Sequence, residues 1–320
     1  MSKHSRVIGT GGYLPEKVLT NHEISETVDT SDSWIYERTG IRSRHIAAEN
    51  ETASSMAEVA ARQALQVAHL DVQDIDLIIT ATSSSDRTFP STACLLQARL
   101  EAGNCAAFDV QAACSGFIYG LSIADQYIRA GTAKNVLLVG SEINSRLLDW
   151  TDRSTCILFG DGAGAVVLQA SDTPGILSTH IHSDGKHQDL LYLPNPKSQP
   201  NLKDLPYIAM KGNDVFKVAV NTLGRIADET LAANGMERDE IDWLVPHQAN
   251  IRIISATAKK LRLPIERVIV TIETQGNTSS ASVPLALNEG LRDGRIRPGQ
   301  AVLMEAFGGG FVWGSALLRV

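Results

Sequence analysis

The chain has 320 residues, 43% hydrophobic and 20% charged, with a net charge of −7. That length buries a large core as one or two domains, and the composition is globular rather than fibrous or disordered. The negative balance argues against general nucleic-acid affinity, and no apolar run approaches the ~20 residues of a membrane span. Cys94, Cys105, Cys114 and Cys156 form no C-x-x-C pair. Neither a metal site nor a disulfide framework follows, and the expected compartment is reducing and cytoplasmic. Met1 to Arg6 is polar and shows no signal-peptide pattern.

In chain order, Arg6 to Gly12 reads as a short strand ending in Gly-Gly. Trp34 and Arg38 then lie four apart, on one helical face, a pair suited to stacking on a base or holding a phosphate. Ala53 to Leu70 has helical spacing, and the run Leu77-Ile78-Ile79 within Asp76 to Ala81 predicts a strand covered on both faces. A helix is expected from Phe89-Pro90 to about Leu100. Ala106 to Val110 is β-rich and leads through small residues to Cys114 and a helical pattern with Gly116, Gly120 and Leu121. A thiol on the first turn of a buried helix meets the positive end of the dipole, which is expected to lower its pKa. Further buried strands are predicted at Asn135 to Gly140 and Ala163 to Ala170.

Around Pro174 the pattern restarts. Asp74-Ile75-Asp76-Leu77 has a counterpart in Glu240-Ile241-Asp242-Trp243, 166 residues later, and at that offset Cys114 falls opposite Ser280. One repeat of this length predicts two similar α/β halves, residues 1–174 and 175–320, each a mixed sheet covered by helices. Lys186 to Tyr207, with four prolines, reads as an irregular insertion.

Two turns of the second half can meet Cys114. Trp243-Leu244-Val245-Pro246 ends in His247, and an expected strand from Val268 to Ile272 leads to Gly276-Asn277-Thr278-Ser279. A Cys, a His and an Asn, each at the start of a helix, form a nucleophile with two polar partners. Gly308-Gly309-Gly310 between apolar strands implies close backbone approach, as an oxyanion hole shared with the Cys114 N–H would need. A phosphate cradle would suit Gly9 to Gly12 or Gly160 to Gly164, but neither follows a dinucleotide or P-loop pattern.

Ala112-Ala113-Cys114-Ser115-Gly116-Phe117, Val245-Pro246-His247-Gln248-Ala249-Asn250, Gly276-Asn277-Thr278-Ser279 and Phe307-Gly308-Gly309-Gly310-Phe311 together closely resemble the β-ketoacyl-[acyl-carrier-protein] synthase III family. The resemblance runs over nearly the whole chain. It implies a thiolase-like αβαβα fold of two duplicated halves with mixed five-stranded sheets, a homodimer, and a Cys114–His247–Asn277 site. The implied reaction acylates the cysteine from a short acyl-CoA, then condenses it with malonyl-ACP (the acyl-carrier-protein thioester) under loss of CO2. The resemblance also implies CoA contacts at Thr30, Trp34, Arg38, Arg153 and Asn250, and an oxyanion hole at the Cys114 and Gly309 N–H groups. Phe89 would limit the partner subunit's acyl pocket, and Lys217, Gln248, Arg252, Lys259 and Lys260 would meet the carrier protein. No metal or cofactor, no nucleic acid and no membrane is implied. Ser115, Gln275 and Tyr36 depart from the family pattern near the site. The alternatives are a relative with another acyl-CoA or acceptor, a thiolase-fold oxidoreductase or nucleotide binder, and a non-catalytic interaction protein.

Overall fold

The computed structural model describes residues 4–195 and 207–320, so residues 196–206 of the predicted insertion lie outside the described residues. A five-stranded mixed sheet has the order His4–Tyr13, Asp161–Ser171, Asn135–Ile143, Leu77–Ala81, Ala106–Val110. Its last three strands run parallel, as the continuous apolar runs predict for a sheet covered on both faces.

The second sheet has four strands among the described residues, in the order Trp243–Pro246, Ala301–Gly308, Val312–Arg319, Ile176–Ser183. Where the first sheet has its fifth strand, the second has one parallel bridge, Leu244 to Val268. The strand expected over Val268 to Ile272 is cut short because the chain turns into a short helix, Ile272–Gln275. Gln248 stabilises that turn, its Oε1 accepting from Thr271 N at 2.9 Å and Ile272 N at 3.1 Å.

Between the sheets lie two helices, Gly116–Arg129 and Ser282–Arg292, and their apolar faces join both sheets in one core. Phe117, Ile118, Leu121, Val283 and Leu287 meet Ile79 and Leu138 on one side and Val302 and Met304 on the other. Ala53–Ala68 and Thr92–Leu100 cover the outer face of the first sheet. Gly212–Asn234 and Ile251–Leu261 cover that of the second. These five layers are the αβαβα arrangement.

The glycines near the N-terminus have a packing role. A Cβ at Gly9 would lie 2.2 Å from the Ala64 carbonyl, and one at Gly11 2.1 Å from that of Ala60. The Ala53–Ala68 helix therefore rests directly on the first strand. Backbone approach of this kind accounts for the cluster without a phosphate.

Candidate active site

The central helices begin at the same end of the molecule, each after a tight turn. Ala113–Ser115 precedes Gly116–Arg129, and Ser279–Ala281 precedes Ser282–Arg292. Each turn opens on a residue held at positive φ, Ala113 at 43° and Ser279 at 51°. Such backbone costs on the order of 1–3 kcal/mol and persists where surrounding packing imposes it. Here the packing is visible: a Cβ at Gly308 would lie 2.7 Å from Cys114 N, so the glycine loop lies directly against the cysteine turn.

His247 follows the strand Trp243–Pro246, its N–H donating to the Glu305 carbonyl at 2.7 Å. Asn277 is held through its backbone, donating to the Leu158 carbonyl at 2.9 Å and accepting from Gly160 N at 3.0 Å. Its Oδ1 accepts from Ser279 N at 2.9 Å, which leaves the NH2 end of the amide for the cavity. Cys114, His247 and Asn277 line one cavity of about 420 Å³. All three are buried, at 7%, 5% and 6% exposure.

Burial decides their protonation. It pushes the Cys114 thiol up to about 11, and the nearby Glu142 carboxylate adds to this, against the hydrogen bond from Ser279. The thiolate expected from the helix start alone is thus corrected: in this buried, acid-flanked site the resting group is a thiol. Burial also pushes His247 down to about 3, so the imidazole is neutral at working pH. Glu305, in the adjacent strand, is fully buried with both carboxyl oxygens unpartnered, and burial raises it to about 8.

That last shift carries a sign. From pH 4.5 to about 8 the folded chain keeps a proton on Glu305 that the unfolded chain releases, so this group costs stability as pH rises through the window. Glu305→Gln is therefore expected to raise Tm relative to wild type by more at pH 8 than at pH 5. Equal gains at both pH values in thermal melts would contradict a neutral buried carboxyl.

The outer part of the cavity is lined by Trp34, Arg38, Arg153 and Asn250. The Trp34 ring carries the Arg38 guanidinium at 4.5 Å and the Arg153 guanidinium at 4.7 Å. Asn250 caps the Ile251–Leu261 helix and donates to the Arg38 carbonyl at 3.0 Å, tying the two helices that flank the mouth. Thr30 lies beside the N-cap of Asp32–Thr39 and is not among the lining residues. A cationic, aromatic mouth thus leads to a nucleophile with two polar partners.

Two family models, the 3-oxoacyl-[acyl-carrier-protein] synthase III domain and its C-terminal domain, match residues 108–185 and 231–320. A β-ketoacyl-[acyl-carrier-protein] synthase III of Methylococcus capsulatus is 70% identical over 320 residues, covering 100% of both chains. The solved 3-oxoacyl-[acyl-carrier-protein] synthase III of Aquifex aeolicus is 50% identical, with TM-score 0.94 over 99% of this chain and 100% of its own. The chain belongs to the β-ketoacyl-[acyl-carrier-protein] synthase III family. It is an acyltransferase, a condensing enzyme of the initiating step of fatty acid synthesis, with the thiolase-like fold. A priming β-ketosynthase of the R1128 polyketide pathway is also similar, at 38% identity and TM-score 0.95 over 100% of this chain and 97% of its own.

Cys114 also borders a second cavity, of about 660 Å³, with Ser279, Gly309, Leu147 and Tyr192. Phe89 lines neither cavity of its own chain and is 82% exposed. Arg252, stacked on Phe216 at 5.1 Å, and Lys259 project from the Ile251–Leu261 helix, and Lys217, on Gly212–Asn234, is exposed and pairs with Asp214 at 3.8 Å. The Lys260 ammonium is engaged on the Val220 carbonyl at 3.0 Å.

Gln248 is a correction. It is 1% exposed and bonded to Pro246, Ile269, Thr271 and Ile272, so it braces the His247 turn and cannot meet a carrier protein.

The departures from the family pattern are absorbed locally. Ser115 Oγ donates to the Val312 carbonyl at 3.1 Å, Gln275 donates to Glu289 at 3.0 Å, and Tyr36 lies under Arg42 at 3.7 Å. Among the described residues no three His, Cys, Asp or Glu side chains could hold a metal ion, and no helix is long and apolar enough to cross a membrane.

Sequence reasoning passed over Glu142, Ser279 and Glu305. For the two glutamates a signal existed: each is the one charged residue of a buried strand, Asn135–Ile143 and Ala301–Gly308.

Proposed function

We propose that Cys114 accepts an acyl group from a short acyl-CoA, acetyl-CoA first, and transfers it to the enolate of malonyl-ACP. Attack of sulfur on the thioester builds negative charge on the acyl oxygen, which the Cys114 and Gly309 N–H groups receive. CoA departs along the mouth, where Trp34 suits an adenine ring and Arg38 and Arg153 suit phosphates, with Asn250 along the way and Thr30 at the rim. Malonyl-ACP then loses CO2. The charge that develops on its thioester oxygen is met by two neutral donors, the His247 imidazole N–H and the Asn277 amide. The enolate carbon attacks the acyl-cysteine, and β-ketoacyl-ACP leaves with Cys114 restored. Each step balances without a redox group or a metal.

The observation that carries this reading is that three separate turns bring Cys114, His247 and Asn277 onto one cavity with an arginine–tryptophan mouth. We also propose a cytoplasmic homodimer whose halves divide at 174/175. Its exposed Phe89 closes the partner's acyl pocket, and Lys217, Arg252, Lys259 and Lys260 steer the acidic carrier protein toward an enzyme whose net charge would repel it.

A second reading, a longer acyl-CoA or a non-ACP acceptor, is favoured by the polyketide priming relative and by the 660 Å³ cavity beside Cys114. Incubation with radiolabelled acyl-CoAs of increasing length, followed by a chase with malonyl-ACP or malonyl-CoA, separates the two. The first reading expects acetyl label on the protein that only malonyl-ACP discharges. Absence of acetyl label, or efficient discharge by malonyl-CoA, would sink it.

A further inference from the structure

Acyl transfer as proposed above requires Cys114 to lose a proton, and the cavity offers few acceptors. The titratable groups around the sulfur are His247 and Glu142. His247, neutral and held at about 3 by burial, is a poor base. Glu142 is different. It is fully buried at the point where the two halves meet and gathers donors from both of them. From the first half come Ser83 N at 3.0 Å and Ser84 Oγ at 2.6 Å; from the second come Ser280 Oγ at 2.8 Å and Ser279 Oγ at 3.2 Å.

Ser279 is the link to the nucleophile. Ser279 borders the same cavity as Cys114, its hydroxyl lowers the proton affinity of the thiol and donates to Glu142 Oε1 at 3.2 Å, and its N–H fixes the Asn277 amide. A serine hydroxyl has one hydrogen to give. When that hydrogen points to Glu142, the oxygen can accept from the thiol; when it points to sulfur, it stabilises a thiolate and can accept from a protonated Glu142.

We propose that Ser279 and Glu142 form the proton relay that activates Cys114 for acyl transfer. The reading rests on acylation of Cys114 by acyl-CoA. The thiol proton passes to Ser279 Oγ as the serine proton passes to Glu142 Oε1. The thiolate then forms the S–C bond to the acyl carbon, and the bond from that carbon to the CoA sulfur breaks. The proton returns from Glu142 through Ser279 to the departing CoA thiolate, so thiol plus acyl-CoA becomes acyl-cysteine plus CoA. Burial raises the Glu142 carboxyl despite its donors, which brings its proton affinity closer to that of the thiol. In this relay Ser279 exchanges the proton with the reacting sulfur, and Glu142 acts through it as a positioning residue and proton store.

The test is rapid-quench acylation by radiolabelled acetyl-CoA in H2O and D2O. Ser279→Ala is expected to slow acylation ~10²-fold and to lose the wild-type solvent isotope effect. Alkylation of Cys114 by iodoacetamide provides a second readout that needs no acyl-CoA. Removing a negative neighbour ordinarily makes a thiol more acidic and faster to alkylate. The relay predicts the opposite sign, with Glu142→Gln slowing alkylation at pH 7 at unchanged Tm. Wild-type rates in Ser279→Ala, a preserved isotope effect, or faster alkylation in Glu142→Gln would each overturn it. If Glu142→Gln does not fold, the acylation rate and isotope effect of Ser279→Ala decide. An unlabelled wild type with Ser279-dependent alkylation would overturn the acyl-CoA reading and leave the relay standing.

Discussion

Replacing Cys114 with alanine is expected to abolish acyl transfer, a loss of at least ~10³-fold, while malonyl-ACP decarboxylation continues at a measurable rate. The two activities separate because the groups that serve them come from different halves. The sulfur and the Cys114 N–H belong to the turn before Gly116–Arg129, whereas His247 and Asn277 belong to the second half, in the turns after the strand Trp243–Pro246 and the short helix Ile272–Gln275. Those turns are held independently of the thiol. His247 is fixed by the Glu305 carbonyl and by the Gln248 brace, Asn277 by Leu158, Gly160 and Ser279. Alanine at 114 keeps the backbone N–H and fits the space of the thiol, so the fold should be retained. Release of labelled CO2 from malonyl-ACP, measured beside acyl labelling, checks the split; loss of both activities in a variant with native Tm would show that the thiol also serves decarboxylation.

The reverse split is expected for His247→Ala and Asn277→Ala. Each removes one donor from the oxygen on which charge develops as CO2 leaves, and one such donor is worth ~10²–10³ in rate. Acylation of Cys114 should change little by comparison, because its oxyanion is met by backbone N–H groups of another loop. Burial holds the imidazole at about 3, so decarboxylation by wild type should show no inflection near the ordinary histidine value. A rate that titrates near pH 6.5, and loses that inflection in His247→Ala, would mean that the imidazolium form takes part.

Much of this was legible in the chain. The 3.6- and 2-residue periodicities, the continuous apolar strands and the repeat at an offset of 166 determine two α/β halves, because each side chain's burial follows directly from local spacing. The repeat extends to backbone detail, since Ala113 and Ser279, at that same offset, both adopt positive φ. Cys114, His247, Asn277 and the glycine triplet were also readable, because each stands at a turn between elements marked by small residues or a proline. Trp34 and Arg38 were readable from helical spacing, and the contact at 4.5 Å follows from it.

What the tertiary structure alone decided concerns groups whose environment is assembled from distant segments. Gln248, adjacent to His247 in the chain, is turned inward by Pro246 and Thr271, and local sequence does not reveal that direction. The expected fifth strand after Val268 yields to a helix for the same reason. Glu142 acquires its role only when Ser83 and Ser279 are brought to it from 59 and 137 residues away. The protonation of Cys114 follows the same logic. A helix start favours a thiolate, and that much is local; exclusion of water by both halves and a facing carboxylate favour the thiol, and those are tertiary. The desolvation is the larger effect, so the nucleophile rests protonated at about 11.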